Sequence, residues 1–379
     1  MGWFGRKDAA PEVKASATAR LTAPAGGRVV WGPRDAGALT RMGYLGNPVG
    51  FRAVRLIAEA TGALPVVCMS GEERMETHPA LALLSRPNPG QARAELMEAL
   101  VSQTLLSGDG YVEGVSGADG APAELHVLRS DRVSVVPGED GWPVAYEYAV
   151  GARKVRLPGA AVCHVRGFHP QDDHYGLSPM QAAAAAVEVH NAASRWSKAL
   201  LDNAARPSGA LVYEGPDGAV LSQSQFDRLQ SELEAHHQGA RNAGRPMLLE
   251  GGLDWKPMGF SPSDMEFRQT KEAAAREIAT AFGVPPMILG IPGDATYANY
   301  AEANRAFYRM TVLPLAGRVL GRLSGWLSGL TGEAVALCVD VDGVTALASE
   351  RDAQWRRVAE AAFLTDVEKR RLLGLPVEG

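Results

Sequence analysis

The stretch SPMQAAAAAVEVHNAASRWSKALLDNAARP, residues 178–207, decides the fold. Ser178 is a residue type that favours a helix N-cap, and Pro179 suits the first helical turn. No strong helix breaker follows until Arg206-Pro207. The stretch therefore predicts one continuous helix over residues 179–205, with a length of about 40 Å at a rise of about 1.5 Å per residue.

The two faces of this predicted helix differ. One face carries a narrow, alanine-padded apolar stripe formed by Val189, Ala193, Trp196 and Leu200. The opposite face carries Glu188, Asn191, Arg195, Lys198 and Asp202. The pattern is typical of an amphipathic helix that packs through one side and exposes the other.

A second long helix is predicted further along the chain. Ser263 and Glu266 match a capping box, and Gly283 before a Val-Pro-Pro sequence is a stop signal. Inside this helix, Glu272 and Arg276 have the spacing of an i,i+4 ion pair. Between the two helices, strand-like runs and one helical stretch predict a small α/β module over residues 207–262.

The flanking regions have different patterns. Short β-branched runs alternate with turn signals over residues 64–164, which indicates an α+β domain with antiparallel strands. On the C-terminal side, Pro314 inside a helical pattern predicts a kink. A last helical segment follows, with Thr365 and Glu368 as the cap of its final turn.

Bulk composition excludes several classes of protein. The net charge of -5 and the pI near 6.0 argue against a protein that grips nucleic acid by neutralising its phosphates. Three distant cysteines indicate neither a disulfide framework nor a metal knuckle. The chain contains no phosphate-binding G-K-[ST] motif, no signal-peptide pattern and no clean membrane span, so we expect a soluble protein without ATPase activity.

The segment HVRGFHPQDDHYG, residues 164–176, offers an alternative in the form of a metal site. Its candidate ligands are His164, His169, His174, Asp172 and Asp173. Their spacing across Gly and Pro residues is not that of common zinc sites. A strand histidine that faces a hydrogen-bond acceptor is the ordinary explanation for His164.

Eight short landmarks, in this order, carry a resemblance to a known family. They are His78-Pro79 with Leu83-Leu84 and Arg86-Pro87-Asn88-Pro89, Gly108 to Val112, Leu128 to Val133, Val162 to Val165, Gly176 to Pro179, Phe282 to Pro286, Ala295 to Asn299, and Thr311 to Pro314. Together they resemble the portal proteins of tailed bacteriophages, specifically the family typical of long-tailed lambdoid-like phages and of gene transfer agents. Asp109-Gly110 departs from the Asn and Ala common in that family, and we expect this change to alter only a turn.

The resemblance implies a portal-type α+β fold. Its parts are an N-terminal arm, partly disordered, over 1–48; a wing over 49–178; a first stem helix over 179–206; a clip over 207–262; a second stem helix over 263–283; a tunnel-loop region over 284–298; a kinked long helix and wing return over 299–345; and a short helical crown over 346–379.

The resemblance also implies the sites. The tunnel loop facing DNA comprises Pro292, Gly293, Asp294, Ala295, Thr296 and Tyr297, and the clip docks its partners through His236, His237, Arg241 and Arg245. The stem helices contribute Glu188, Arg195, Lys198, Lys271 and Arg276, and the kink lies at Pro314. A small, polar and mildly repulsive loop would let a polyanion pass without trapping it.

The implied function is a non-enzymatic ring, without metal, cofactor or catalytic residues, at one capsid vertex of a virion or phage-like particle assembled in the bacterial cytoplasm. The implied partners are further copies of the chain in a dodecamer, the terminase large subunit, the head-tail connector, the major capsid protein, and double-stranded DNA that passes without sequence specificity. No membrane is involved. Two alternatives stay open: a metal-dependent hydrolase built on His164, His169, His174 and Asp172, and a monomeric adaptor.

Overall fold

The computed structural model describes residues 36–71, 73–75, 77–118, 120–139, 141–202, 209–213, 222–228, 231, 253–257, 267–293 and 297–374. The chain divides into two compact units. The first contains the residues up to Ala38 together with Val54–Gln181 and Arg305–Gly379, and the second contains Leu39–Ala53 and Ala182–Asn304. Within the described ranges, no helix has the length and apolar character needed to cross a membrane.

Helices and strands alternate along the described chain. The helices are α1 (Ala36–Thr40), α2 (Pro48–Gly62), α3 (Pro79–Ser85), α4 (Arg93–Ser107), α5 (Pro179–Ala182), α6 (Ala184–Asp202), α7 (Phe267–Ala281), α8 (Tyr297–Phe307), α9 (Leu313–Thr331), α10 (Ala348–Glu360) and α11 (Asp366–Leu372), with π-helical turns at Arg41–Leu45 and Tyr308–Val312. The strands are β1 (Val66–Ser70), β2 (Glu73–Met75), β3 (Asp109–Ser116), β4 (Pro122–Leu128), β5 (Val133–Pro137), β6 (Pro143–Val150), β7 (Arg153–Pro158), β8 (Val162–Arg166), β9 (Gly209–Tyr213), β10 (Leu253–Pro257) and β11 (Ala336–Val339).

The first unit is built on three antiparallel sheets. Their strand orders are β11-β1-β2, β4-β3-β8 and β5-β6-β7. Helix α4 packs against β3, and α9 packs against β8 and β11. Gly114 lies on β3 where an added Cβ would stand 2.9 Å from the Trp326 ring, so only glycine leaves room for that indole. The predicted α+β class with antiparallel strands is confirmed.

An aromatic cluster forms the centre of this unit. Tyr111, Leu128, Val133, Tyr146 and Val162 are buried together. The Tyr111 ring stacks on His164 with a centroid distance of 4.4 Å and meets Tyr146 edge to face at 5.7 Å. Burial raises the pKa of Tyr111 above its ordinary range and that of Tyr146 to about 12. The Tyr111 hydroxyl is buried and has no hydrogen-bond partner within the described ranges.

Asp109, the first residue of the departure at 109–110, lies in a buried strand and not in a turn. Asp109 is the first residue of β3 and only 4% exposed. Its Oδ1 atom lies 2.8 Å from His164 Nε2, and its carboxylate accepts a bond from Gly176 N at 3.0 Å. The expectation of an altered turn is therefore wrong, because the carboxylate joins two strands and the loop that leads to α5.

The last part of the predicted N-terminal arm, which spans residues 1–48, is ordered. Residues 36–45 are helical, and Leu39 and Asn47 are buried. Burial of Leu39 and the hydrogen bonds of Asn47 account for this order, because both tie the segment to the rest of the second unit. Residues 1–35 lie outside the described part of the chain.

The second unit contains α6 and α7, which pack against each other, and the antiparallel pair β9 and β10. A helical stretch over 223–228 lies between these strands in sequence. The prediction of one unbroken helix over 179–205 is wrong, because Ala183 separates α5 from α6. No glycine or proline lies at this break. The break follows directly after Ala182, where a segment of the second unit begins.

Candidate functional site: the stem helices and the following loop

Helix α6 buries a different face from the one that the sequence predicts. Ala186, Val187 and Ala193 are buried, whereas Val189 is 44% and Trp196 45% exposed. The predicted apolar stripe is therefore divided, because alanines at 186 and 193 allow a close approach to α7 that larger side chains would prevent. Val189 and Trp196, seven residues apart on one face, keep an apolar surface open.

A buried polar cluster joins α6 to the segment that precedes α2. The Asn47 amide nitrogen lies 3.1 Å from His190 Nδ1 and donates to Asn191 Oδ1 at 2.9 Å. Asn191 in turn donates to the carbonyl of Met42 at 3.0 Å. Placing Asn191 on the exposed polar face is wrong, because these bonds hold it in the interior at 8% exposure.

The other atoms of the cluster are also matched. The Asn47 Oδ1 atom accepts from the backbone N–H groups of Val49 and Gly50 at the start of α2. The pKa of His190 is lowered by burial and then by the charge of Lys271, against a smaller opposing effect of Asn191. Because the Asn47 amide donates to Nδ1, the neutral ring carries its proton on Nε2.

The five predicted stem residues are all exposed. They are Glu188, Arg195 and Lys198 on α6, and Lys271 and Arg276 on α7. The predicted pair of Glu272 with Arg276 does not form; Glu272 instead pairs with Arg268 at 2.9 Å. Arg276 donates to the carbonyl of Pro292 at 2.6 Å and so ties α7 to the loop that follows it.

The loop after α7 begins with a predicted stop. Gly283 has φ 66°, a left-handed conformation that ends the helix without strain, and this prediction is confirmed. A 3-10 turn at Pro286–Leu289 and a left-handed Gly290 follow. Pro292 and Gly293 are exposed. Asp294, Ala295 and Thr296 lie outside the described residues, and Tyr297 is the first residue of α8, two positions before the predicted start of the long helix.

Pro314 lies directly after a π turn. The N–H of Leu313 donates to Tyr308 O, which is a five-residue separation, and Pro314 occupies the first turn of α9. The π turn accommodates the missing proline donor inside a run of helical residues. The kink itself stays a prediction.

The histidine segment is held by ordinary capping and pairing bonds. His164 pairs with Asp109, His169 Nδ1 accepts from Gln171 N at 3.1 Å, and Asp172 accepts from the backbone N–H groups of His174 and Tyr175. Ser178 Oγ accepts from Gln181 N at 2.9 Å, which confirms the predicted N-cap. Among the residues with a described position, no group of three metal-ligating side chains comes together. The metal-hydrolase alternative finds no support in this arrangement.

The predicted clip residues His236, His237, Arg241 and Arg245 lie outside the described ranges. Their roles stay predictions. The C-terminal helices are described: Thr365 and Glu368 form the predicted capping box at the start of α11, with Thr365 N donating to Glu368 at 2.8 Å.

Comparison with known proteins assigns the family. The family model "Phage portal protein" matches residues 48–374. A structure from the neck of a native gene transfer agent particle, determined with twelvefold symmetry, contains a chain that is 65% identical, with a TM-score of 0.75 and coverage of 96% of this chain and 100% of that one.

Two protein relatives extend the comparison. An uncharacterized protein of Rickettsia bellii is 41% identical over 88% of each chain. The portal protein of Enterobacteria phage HK97 is 24% identical over 80% of this chain and 75% of its own length. This chain belongs to the phage portal protein family.

Proposed function

We propose that the chain forms the portal ring of a gene transfer agent, at one vertex of the capsid, through which double-stranded DNA enters and leaves without sequence specificity. The observation that carries this proposal is the 65% identity, over nearly the whole chain, to a protein in the neck of a gene transfer agent particle. The twelvefold symmetry of that neck supports a dodecamer. The family is structural, and we propose that the ring has no catalytic activity of its own.

The exposed apolar surfaces support assembly into a ring. Val189 and Trp196 are partly exposed on one face of α6. Helices α10 and α11 have no buried residue, and Phe363 between them is 86% exposed. A closed ring would bury these surfaces between copies of the chain, since repeated heterologous contacts form a ring when the rotation between subunits returns to its starting point.

The proposed parts of the ring keep their expected roles. Pro292, Gly293 and the following four residues face the DNA, with the Arg276 bond to Pro292 fixing the start of that loop. The clip, with Arg241 and Arg245, docks the terminase large subunit during packaging and the head-tail connector afterwards. The wing over 49–178 contacts the major capsid protein.

Assembly is tested by mass photometry and negative-stain microscopy of the purified chain. We expect rings of twelve subunits, and a protein that stays monomeric at high concentration would contradict the proposal. In the double variant V189E/W196E we expect loss of rings, because two charges would replace the apolar stripe. Ser134→Glu, which places a charge at an exposed position of β5, is the control and should assemble normally.

DNA passage is tested separately in particles. Deletion of residues 292–297 should leave rings intact but reduce packaged DNA, measured as nuclease-protected DNA per particle. Unchanged packaging would contradict the assignment of this loop.

Replacing Arg241 and Arg245 with alanine should weaken binding to purified terminase, and unchanged binding would remove these residues from the docking site.

A further inference from the structure

The outer edge of β7 is the feature on which this inference rests. Among the strands that the structure describes, β7 pairs only with β6, in a register that joins Val150 to Arg153 and Glu147 to Arg156. The two strands are connected by the two residues Gly151 and Ala152, with Gly151 at φ 59°. In such a two-residue hairpin the closing pair is hydrogen-bonded, so the next outward-pointing backbone groups belong to Lys154 and Arg156.

Hydrogen bonds from outside the sheet reach three other edge strands of the first unit, β4, β5 and β11. Three edges have such partners: Leu125 N of β4 donates to Pro87 O at 2.7 Å, Val135 N of β5 donates to Tyr175 Oη at 3.0 Å, and Leu337 N of β11 donates to Ser324 Oγ at 2.8 Å. Within the described part of the chain, no such bond reaches the outer edge of β7. This edge therefore offers free backbone donors and acceptors to another strand.

The apolar face of the same meander extends to this edge. Tyr148 and Leu157 pack against the aromatic cluster of the first unit. Further out on the same face, Val144, Val150 and Val155 are 50%, 47% and 39% exposed. A strand added beside β7 would place its own alternate residues against Val155 and Leu157, which lie on β7 itself.

The opposite face and the strand end carry an excess of positive charge. Lys154 pairs with Glu147 at 2.8 Å, which uses the one carboxylate of this face of β6. Arg156 lies opposite Glu147 in the register and is exposed, and Arg153 is also exposed. These two arginines give the edge a charge that repels a second β7 and attracts carboxylates.

We propose that the outer edge of β7 binds an extended acidic segment of another polypeptide, which adds a strand to the β5-β6-β7 sheet. The segment would alternate aliphatic residues, placed over Val155 and Leu157, with acidic residues, placed near Lys154 and Arg156. Backbone bonds to the edge supply affinity, and the alternation supplies specificity. Nucleic acid fits less well, because phosphates would leave the exposed valines and the free backbone groups unused.

Fluorescence anisotropy tests the proposal with the purified full-length chain. The probe is a labelled synthetic peptide of alternating valine and glutamate, and its match has lysine in place of glutamate. We expect the glutamate peptide to bind at least about tenfold more tightly than the lysine peptide, which corresponds to about 1.4 kcal/mol. Equal binding of the two peptides would overturn the proposal.

Variants of Arg156 distinguish the contribution of its backbone N–H group to peptide binding from that of its side-chain charge. Arg156→Glu should reverse the preference between the two peptides, which a loss of folding cannot do. Arg156→Gln keeps the N–H group, whereas Arg156→Pro removes it at an edge position that tolerates proline. We expect Arg156→Pro to bind at least about threefold more weakly than Arg156→Gln, with equal thermal unfolding as the folding control.

Two competing occupants give distinct results. A duplex DNA that displaces the glutamate peptide from the wild-type chain but not from Arg156→Glu would assign the edge to phosphates and overturn the proposal. Loss of ring assembly in Arg156→Pro, with assembly retained in Arg156→Gln, would assign the edge to a second copy of this chain and would also overturn it.

Discussion

Two buried histidines, one in each unit, are held by partners of different charge. In the first unit, His164 Nε2 faces the carboxylate of Asp109 at 2.8 Å, with side-chain exposures of 9% and 6%. In the second, His190 Nδ1 receives the neutral amide of Asn47, and burial lowers the pKa of the imidazole. The first unit thus fixes the loop before α5 with a carboxylate, whereas the second unit fixes the segment before α2 with a neutral network that resists protonation.

Removing the charged acceptor should give the largest effect. We expect Asp109→Ala to lower the free energy of unfolding by about 3 kcal/mol, because His164 and Gly176 N would both lose their acceptor in a buried place. Asp109→Asn keeps an accepting oxygen and should lose about 1 kcal/mol. Urea unfolding of the purified chain, followed by circular dichroism, measures both values.

The control for this prediction is an exposed carboxylate. Asp131 pairs with Arg129 at 2.7 Å, but both side chains reach solvent. Asp131→Ala should change stability by less than about 0.5 kcal/mol, since exposed ion pairs contribute little. Equal losses in Asp109→Ala and Asp131→Ala would remove the distinction between a buried and a solvated carboxylate.

Breaking the neutral network should have the second largest effect. We expect Asn47→Ala to cost about 2 kcal/mol, because His190 and Asn191 would lose a donor and α2 would lose its cap. Gln223 is a matched control, since its amide bonds Asp227 at 3.0 Å in solvent. Thermal unfolding of Gln223→Ala should match the wild type, and a loss equal to that of Asn47→Ala would contradict the role of burial.

These two sites show what the sequence could and could not predict. The class of fold, the N-cap at Ser178 and the stop at Gly283 follow from local patterns, because capping and strand alternation depend on neighbouring residues. The sequence predicts an acceptor for His164 but does not identify it as Asp109, which lies 55 positions away. Asn47 and Asn191 are 144 positions apart. No local pattern links them, so the buried face of α6 could not be identified before its partners were known.

The same reasoning applies to the apolar stripe of α6. Periodicity places Val189 and Ala193 on one side of the helix, but it does not say which neighbour covers each residue. The chain itself covers the alanine and leaves the valine open. A single sequence contains no signal that separates contacts within a chain from contacts between chains.

The response to pH sharpens the comparison further. The pKa of His190 lies below its ordinary value of 6.5 in the folded chain. Above about pH 6.5 this residue is mostly neutral in both the folded and the unfolded state, so it contributes little to the pH dependence of the free energy of unfolding. As the pH falls below about 6.5 the unfolded imidazole takes up a proton that the folded one resists, and stability is lost.

The measurement is a difference between two proteins. Between about pH 7.5 and about pH 5.5, we expect the wild type to lose more stability than His190→Gln, which cannot titrate. Parallel melting curves of the two proteins at each pH report the difference. Identical pH dependence would show that protonation of His190 does not oppose folding.

The smallest effect concerns a buried tyrosine hydroxyl in the first unit. Tyr111 is 1% exposed and stacks on His164, but its hydroxyl has no acceptor or donor in reach among the residues that the structure describes. A buried hydroxyl without a partner destabilises the folded state, because it loses its hydrogen bonds to water. Tyr111→Phe eliminates this penalty and should raise stability by up to about 1 kcal/mol. Tyr175→Phe is the contrasting variant, since its hydroxyl accepts from Val135 N, and it should lose about 0.5 kcal/mol. Stability changes of opposite sign in the two variants would show that the hydrogen bonding of the hydroxyl, and not the loss of an oxygen atom, decides the outcome. A clear loss of stability in Tyr111→Phe would mean that this hydroxyl has a hydrogen-bond partner.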